Sequence, residues 1–248
     1  MTRNWPVLFE EWTRSTLRDP IQHLSQRRTR ICPCCGYSGY FASAKWRKGL
    51  EMRCPNCASR PRDRFLAKLL ASSGEVIKGK RILHFAPEWP LYRLLKDEPG
   101  YIGGDIIKRR NANASVDITS VEASDDRFDV IICNHVLEHV PDHLAAMREC
   151  FRVLRPDGIA FFSVPIDYSR EQTWYPPPEM TAKDVERICG WDHKRIYGRD
   201  FRSLLQSVGF NVTVIEAPNE WVEPYRRYDE YFFVCTKQVG RFDWCGPH

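Results

Sequence analysis

One stretch of the chain, residues 128–165, most constrains what it can fold into. It opens on an apolar run over 128–133 and continues with a helical pattern over 142–154. After the turn residues 155–158 it closes on a second apolar run over 159–165. Short apolar runs bounded by turn signals are typical of buried strands, whereas apolar residues spaced three and four apart are typical of helices. The stretch is therefore predicted to form a strand, a helix and a second strand.

The rest of the chain from residue 61 onward repeats this alternation. It predicts an α/β fold, namely a Rossmann-like, doubly wound sheet of seven strands that binds ligands at the carboxyl ends of its strands. The predicted strands are 80–86, 100–106, 116–119, 128–133, 159–165, 211–216 and 231–236, and the main predicted helices are 64–71, 90–96, 142–154 and 201–208.

The cysteines indicate a metal site ahead of this body. Ten cysteines without a secretory signal favour metal ligands or free thiols over disulfides. Four of them follow the spacing C-x2-C-x18-C-x2-C, which is typical of a four-thiolate zinc site: Cys32, Cys35, Cys54 and Cys57. Cys34 is a surplus thiol, and its pairing with Cys32 is the alternative. We predict a small N-terminal zinc ribbon in which Zn²⁺ holds together a module that is too small to bury a hydrophobic core.

The positive charge of the chain is concentrated around these cysteines. The net charge is +5, but ten basic and two acidic residues between Arg27 and Arg64 give this stretch a charge of +8, so the remainder is net negative. A basic face of this kind can also dock a phosphate backbone. RNA therefore stays open as an alternative partner, although the ribbon is expected to be structural.

Residues 129–165 resemble the central block of class I S-adenosylmethionine (SAM)-dependent methyltransferases. The resemblance rests on Leu-Glu-His-Val at 137–140, on a helix ending in Arg-Val-Leu-Arg-Pro-Asp-Gly at 152–158, and on a strand that ends in proline. With the C-P-x-C pairs, the loop 83–88 and the run 192–198, the chain is similar to bacterial methyltransferases that carry a zinc ribbon, often associated with cell-surface saccharides. The resemblance implies SAM and Zn²⁺ as cofactors.

These patterns divide the chain into three predicted units. An N-terminal helical segment covers 1–30, the zinc ribbon covers 31–60, and a SAM-dependent methyltransferase domain covers 61–248 with an insertion over 167–197. The insertion is rich in aromatic and basic residues, so it is expected to cap the active site and contact the acceptor.

The first loop of the predicted sheet, residues 84–88, lacks the glycines that such a loop usually carries. Glycine lets a backbone approach its ligand closely, and SAM, which has no pyrophosphate, needs this less. We therefore expect Ala86, Pro87 and Glu88 to contact SAM, with Glu88 accepting from its ammonium group. A collapsed loop without a ligand is the alternative, and it motivates a further hypothesis, a non-catalytic binding protein of this fold.

Further cofactor contacts are expected after the next strands. A carboxylate about 20 residues beyond the first loop usually binds the ribose hydroxyls, and Asp105 stands at that spacing. The resemblance implies that Asp117 and Ile118 hold the adenine. It also implies that Asn134 and His135 lie beside the donor methyl group.

Three histidines are candidates for a catalytic base. Transfer of a methyl group to a hydroxyl is an in-line displacement that benefits from a base, and neutral imidazole suits this role near pH 7. The candidates are His135, His139 and His193. His135 and His139 share a face if their segment is helical. His143 lies beyond Pro141, where a new helix is expected to start, so it is not grouped with them as a metal site.

The sequence thus predicts a cytoplasmic enzyme. It has no signal peptide and no apolar run of about 18–20 residues that could span a bilayer. The leading interpretation is SAM-dependent methyl transfer, at oxygen, to a small-molecule or carbohydrate-like acceptor. The alternatives are an RNA methyltransferase whose basic ribbon docks the nucleic acid, and the non-catalytic binding protein.

Overall fold

The computed structural model describes residues 30–39, 41–44, 47–72, 77–107, 110–217 and 231–239. Nearly all of the predicted N-terminal segment 1–30 lies outside this part of the chain. Among the described helices, none is long and apolar enough to cross a membrane.

The cysteine-rich part forms two short antiparallel hairpins. Strand β1 (Arg30–Ile31) pairs with β2 (Ser38–Gly39), and β3 (Ala42–Ala44) pairs with β4 (Arg47–Arg53). Such small hairpins cannot bury a core by themselves. Their cysteines instead join one apolar cluster with helix α1 (Pro61–Ser72) and with the main sheet.

The body of the protein is one seven-stranded mixed sheet, as the sequence predicts. Its strands in chain order are β5 (Arg81–Phe85), β6 (Gly100–Asp105), β7 (Ala114–Ser115), β8 (Phe128–Asn134), β9 (Leu154–Ser163), β10 (Asn211–Glu216) and β11 (Tyr231–Thr236). The spatial order is β7-β6-β5-β8-β9-β11-β10, and β11 alone runs in the direction opposite to the other six strands. The central strands are buried along most of their length, as expected when both faces of a parallel sheet are covered.

The order of the strands reverses between β5 and β8. From β5 the chain moves outward to β6 and β7, and it then returns to the other side of β5 for β8 and β9. In open α/β sheets a reversal of this kind opens a crevice at the carboxyl ends of the strands, where ligands bind. The residues that follow β5, β6 and β8 therefore define the candidate site.

The remaining helices connect these strands. They are α2 (Trp89–Leu95), α3 (His143–Val153), α4 (Ala182–Cys189) and α5 (Phe201–Ser207). Helix α3 begins where its sequence predicts, because the side chain of Asp142 accepts a hydrogen bond from the Ala145 amide at 2.8 Å and caps the first turn. Its buried face, which includes Ala146 and Met147, packs on the sheet.

Two local expectations differ from the structure, and the insertion shows a helix for which no prediction was made. The predicted third strand over 116–119 is replaced by the shorter β7, because the side chain of Asp117 bonds the Thr119 amide and turns the chain there. The predicted turn 155–158 lies inside β9 as an irregularity, since the register to β8 jumps from Leu154 to Ile159. The insertion 167–197 contains helix α4, which starts behind the capping residue Thr181.

Candidate active site

The first loop, residues 84–88, contains no glycine, yet it packs closely against the neighbouring strand β6. Ala86 takes a positive φ of 43°, and its amide donates to the Gly104 carbonyl at 2.7 Å. A Cβ at Gly103 would lie 2.9 Å from Cγ of Pro87, and a Cβ at Gly104 would lie 2.7 Å from the side chain of Val116. The glycines that this crevice requires therefore stand in β6, whereas the loop itself supplies side chains.

Glu88 is the centre of a polar network at the reversal of strand order. Its Oε2 lies 3.1 Å from Nε2 of His84, which is fully buried, and its Oε1 accepts from Nδ2 of Asn134 at 2.6 Å. The network continues from Nδ1 of His84 to the hydroxyl of Tyr101 at 3.1 Å, and from Oδ1 of Asn134 to the hydroxyl of Ser163. Because Glu88 accepts on both oxygens, it is held rigidly as a fixed acceptor at the mouth of the crevice.

Asp105 lies at the end of β6, where a ribose ligand is predicted. Its side chain is 6% exposed, and its Oδ1 accepts from the Ile107 amide at 3.1 Å. Its backbone carbonyl accepts from the amide of Val116. The carboxylate is thus positioned by its own turn beside the first loop.

The two residues predicted to hold adenine have different surroundings. Asp117 is exposed, and its Oδ1 accepts from the amide and the hydroxyl of Thr119 at 2.8 and 2.7 Å. Ile118 is 7% exposed and packs in the main apolar cluster. Asp117 therefore stabilises a turn that precedes the buried Ile118, and their contact with adenine stays a prediction.

His135 directly follows β8 in a left-handed conformation with φ of +54°. A non-glycine residue adopts this conformation rarely, and such positions are often functional. Its Nδ1 lies 3.1 Å from Oε1 of Glu138, whose side chain is nearly fully buried. Burial lowers the pKa of His135 and the charge of Arg62 lowers it further, against the opposing effect of the Glu138 carboxylate. The hydrogen bond from His135 in turn helps to hold the pKa of Glu138 below its usual value, although burial opposes this.

His139 and His193 lie together rather than beside His135. The segment after His135 is a turn and not a helix, so His135 and His139 do not share a helical face. Nδ1 of His139 lies 3.2 Å from the Asp192 carbonyl oxygen, and the rings of His139 and His193 meet edge to face at 4.9 Å. Burial lowers the pKa of His193. His143 begins α3 and points elsewhere, as the sequence predicts.

The insertion is anchored on the turn that follows β8. The Lys194 amide donates to the Glu138 carbonyl at 2.7 Å, and the guanidinium of Arg195 donates to the carbonyls of Leu137 and Pro141 at 2.8 and 2.6 Å. Arg195 is 4% exposed. These contacts hold the segment around His193 against the turn after β8, and the capping role of the insertion stays a prediction.

The exit of the cysteine module, residues 60–63, carries charged groups that interact electrostatically with residues of the candidate site. Asp63, in the first turn of α1, accepts from the Arg60 amide at 2.8 Å and is almost fully buried. Its burial raises the pKa of the carboxyl group to about 6, and the negative charge of Glu88 contributes to the rise, whereas Arg62 opposes it. The charge of Arg62 therefore acts on His135, and the charge of Glu88 acts on Asp63.

The four predicted cysteine ligands converge. Sγ of Cys32 lies 3.7 Å from Sγ of Cys57, Sγ of Cys35 lies 3.6 Å from Sγ of Cys54, and the four sulfur atoms all lie within 4.8 Å of one another. Cys34 is not one of these four, and its thiol donates to the Asp63 carbonyl at 3.6 Å. A tetrahedral ion with four bonds of about 2.3 Å to sulfur separates the sulfur atoms by about 3.8 Å, so the donor set fits Zn²⁺.

Several site residues were missed by the sequence analysis. His84, Tyr101 and Ser163 complete the network around Glu88, and Glu138 holds His135. A signal for Glu138 was present, since an acid within an otherwise apolar stretch needs a buried partner. Asp63 gave no such signal, because its position depends on how α1 packs.

A protein-family model described as a methyltransferase domain matches residues 9–215. Among curated proteins, the ubiquinone biosynthesis O-methyltransferase of Actinobacillus pleuropneumoniae is 53% identical over 38 residues, which are 15% of this chain and 16% of that protein. The enzyme of the same name from Neisseria meningitidis is 48% identical over 42 residues, 17% of this chain and 18% of that protein. The match thus spans less than a fifth of these relatives.

Solved structures share the fold over much more of the chain. The [4+2]-cyclase SpnF covers 94% of this chain and 97% of its own, with a TM-score of 0.52 and 16% identity. A protein from Galdieria sulphuraria, described as a sarcosine dimethylglycine methyltransferase, covers 71% of this chain and 85% of its own, with a TM-score of 0.50 and 17% identity. At these identities the likeness concerns the fold alone.

Proposed function

The chain belongs to the methyltransferase domain family, and on that premise we propose that it transfers a methyl group from SAM to a hydroxyl oxygen of a small-molecule or carbohydrate-like acceptor. The observation that carries the proposal is the network around Glu88, at the point where the strand order of the sheet reverses. The short matches to O-methyltransferases support oxygen as the atom that is methylated.

The crevice offers a separate group for each end of the cofactor. Glu88 keeps acceptor capacity for the ammonium group of SAM, because each carboxylate oxygen can accept two hydrogen bonds. Asp105 accepts from the ribose hydroxyls, and Asp117 and Ile118 line the adenine. Ala86 and Pro87 bring the backbone of the loop against the methionine part. SAM supplies, when bound, the electrophilic methyl group on its sulfonium and leaves as the neutral thioether.

His135 is the base in this proposal. Its Nδ1–H donates to the Glu138 carboxylate, which leaves Nε2 with its lone pair for the acceptor. The lowered pKa of His135 keeps the imidazole neutral at pH 7. Nε2 would accept the proton of the acceptor hydroxyl as that oxygen takes the methyl group from the sulfonium, and Asn134 directly precedes His135 in the chain.

The cysteine cluster is proposed to hold a structural Zn²⁺ through Cys32, Cys35, Cys54 and Cys57. The short distances between sulfur atoms and the chemistry of the donor set support this assignment. The ion fixes a module whose cysteines pack against α1 and the sheet.

Two of the ten basic residues in the stretch 27–64, Arg62 and Arg64, give no support to RNA as the acceptor. The guanidinium of Arg64 is buried, donates to the Ser59 carbonyl at 2.6 Å and lies 4.5 Å from the centre of the Phe41 ring. Arg62 faces Asp63 at 3.6 Å and is mostly buried. Since these side chains point inward, they do not form a surface for phosphates.

Calorimetric titration with SAM and with S-adenosylhomocysteine tests the proposal. We expect the wild type to bind both, and Asp105→Asn to bind them about tenfold or more weakly, since a charged hydrogen bond to the ribose is lost. Asp97→Asn is the matched control, because Asp97 lies on the surface and pairs with Lys96. No binding of either compound by the wild type would favour the non-catalytic alternative.

The acceptor is then sought by measuring S-adenosylhomocysteine release with a panel of phenols, vicinal diols and sugars. We expect turnover with at least one class of hydroxylated compound. Release with RNA, or with amines alone, would contradict O-methylation of a small molecule.

A further inference from the structure

A second cluster of metal-type ligands lies next to the candidate active site. Glu138, His139 and His193 each offer one donor atom, and these three atoms all lie within 4.8 Å of one another. The cluster is distinct from the four cysteines, and it joins the turn after β8 to the insertion. We propose that these three side chains bind a divalent transition-metal ion.

The buried carboxylate of Glu138 is the first argument. Its Oε1 is engaged by His135, whereas its Oε2 has no hydrogen-bond partner among the residues that the structure describes. The residue is 1% exposed. A buried carboxylate oxygen without a partner costs free energy, and native proteins rarely leave one in place without a bound group. A cation beside His139 and His193 satisfies it.

The orientation of the two imidazoles is the second argument. Nδ1 of His139 is turned to the Asp192 carbonyl at 3.2 Å. The ring of His193 lies beside the end of helix α4, and its Nδ1 would be 3.6 Å from a Cβ placed on Gly190. Histidines that bind metals commonly donate one ring N–H to a carbonyl, which directs the lone pair of the other nitrogen to the ion. His139 has this arrangement, since its Nδ1 lies against the Asp192 carbonyl and leaves Nε2 available to an ion.

The chemistry of the donor set identifies the class of ion. Two imidazoles and one carboxylate suit Mn²⁺, Fe²⁺, Co²⁺ or Zn²⁺ and leave coordination positions open. Since donors at about 2.1 Å from one ion lie at most about 4.2 Å apart, binding would draw the three side chains slightly closer. The two histidines are only partly buried, so their side chains have room for this movement.

The position of the cluster indicates what the ion would do, and this role rests on the proposed function. Glu138 contacts His135 through Oε1, which leaves Oε2 free to bind the proposed ion. A bound metal lowers the pKa of a coordinated hydroxyl. The ion would therefore hold a hydroxyl group of the acceptor and make it more acidic. An acceptor with two neighbouring hydroxyls, as in a catechol or a sugar diol, fits the open positions.

The experiment counts Mn²⁺ ions per chain. Protein is dialysed against a mild chelator until elemental analysis gives one zinc per chain, and Mn²⁺ binding is followed by the loss of the free-ion signal in electron paramagnetic resonance. Thiolate sites disfavour Mn²⁺, so the cysteine cluster stays silent. We expect one Mn²⁺ per wild-type chain and at least tenfold weaker binding in His193→Ala and in His139→Ala.

Lys194→Ala is the matched control, because this neighbour is exposed and its ammonium group pairs with Asp192 at 2.9 Å. Circular dichroism without Mn²⁺ verifies that each variant is folded. Wild-type protein that binds no Mn²⁺, or His193→Ala that binds it like the wild type, would overturn the proposal. S-adenosylhomocysteine binding is measured on the same samples, so that failure of the metal site and failure of the proposed function can be distinguished. Binding of S-adenosylhomocysteine without uptake of Mn²⁺ would overturn only the metal site. Uptake of Mn²⁺ without binding of S-adenosylhomocysteine would overturn only the proposed function.

Discussion

At the scale of single residues, the first loop carries the side chain of Glu88 and none of the glycines that such a loop usually contains. A dinucleotide needs bare backbone around its pyrophosphate, whereas the ammonium group of SAM needs a fixed acceptor. In the proposed site Glu88 is that acceptor, and His84 and Asn134 hold its two oxygens in place. The glycines that allow close packing stand in β6 instead, at Gly103 and Gly104.

Glu88→Gln separates the two roles of this residue. The amide nitrogen of glutamine can donate to Nε2 of His84 if the imidazole exchanges its tautomer and donates from Nδ1 to Tyr101, so the network survives. We expect a change in unfolding free energy below about 1 kcal/mol, but an affinity for SAM at least tenfold weaker, because the charge is lost. Calorimetry and chemical denaturation measure both. Glu171→Gln, at an exposed acid, is the control. Unchanged affinity would show that Glu88 is purely structural.

At the scale of elements, the strands and the long helices are predictable because periodicity and caps are local. The third strand was misplaced because the turn formed by Asp117 competes with a strand over the same residues. His135 and His139 do not share a helical face, because His135 adopts a positive φ, which is not the conformation of a right-handed helix. His193 and Glu138 come together through contacts between segments more than fifty residues apart, such as the hydrogen bond from the Lys194 amide to the Glu138 carbonyl. No local sequence pattern encodes such contacts.

Helix α3 and the insertion meet at a buried histidine. Nδ1 of His143 lies 2.9 Å from the hydroxyl of Tyr197, and Nε2 lies 3.1 Å from the hydroxyl of Tyr175. Burial lowers the pKa of His143 to about 4, and the charge of Arg195 contributes. The acids that oppose this effect are Asp142 and Asp200. His143 is therefore neutral in the folded protein at pH values where it is already protonated in the unfolded chain.

This difference predicts a loss of stability in mild acid. The folded-state pKa of His143 lies below the unfolded value of 6.5, so its contribution is fully present above pH 6.5 and declines as the pH falls toward 4. The shift corresponds to about 3 kcal/mol. His143→Gln lacks the titration, so the wild-type advantage in unfolding free energy should shrink over this range. Denaturant titrations from pH 7 to pH 4 measure it, and parallel pH profiles would contradict the assignment.

At the scale of the whole molecule, the cysteine module and the sheet form one unit. The buried Cys32 and Cys57 share an apolar cluster with Phe65 of α1 and Phe232 of β11. The exit of the module also places Asp63 within electrostatic reach of Glu88. The fold by itself does not decide the chemistry, since a protein named as a cyclase has the same architecture. The coupling between module and crevice is therefore a property that must be tested on this chain.

Removal of zinc tests that coupling. Because the cysteines belong to a core shared with the sheet, we expect Cys57→Ser to lose its zinc and to unfold in one transition at a lower midpoint. A loss of about 3 kcal/mol corresponds to about 6–12 °C in a domain of this size. Cys34→Ser is the matched control, since its hydroxyl can still bond the Asp63 carbonyl and the ligand set is intact. Calorimetry with elemental analysis measures both variants. A separate low-temperature transition in Cys57→Ser, with the main midpoint unchanged, would show that the module is independent.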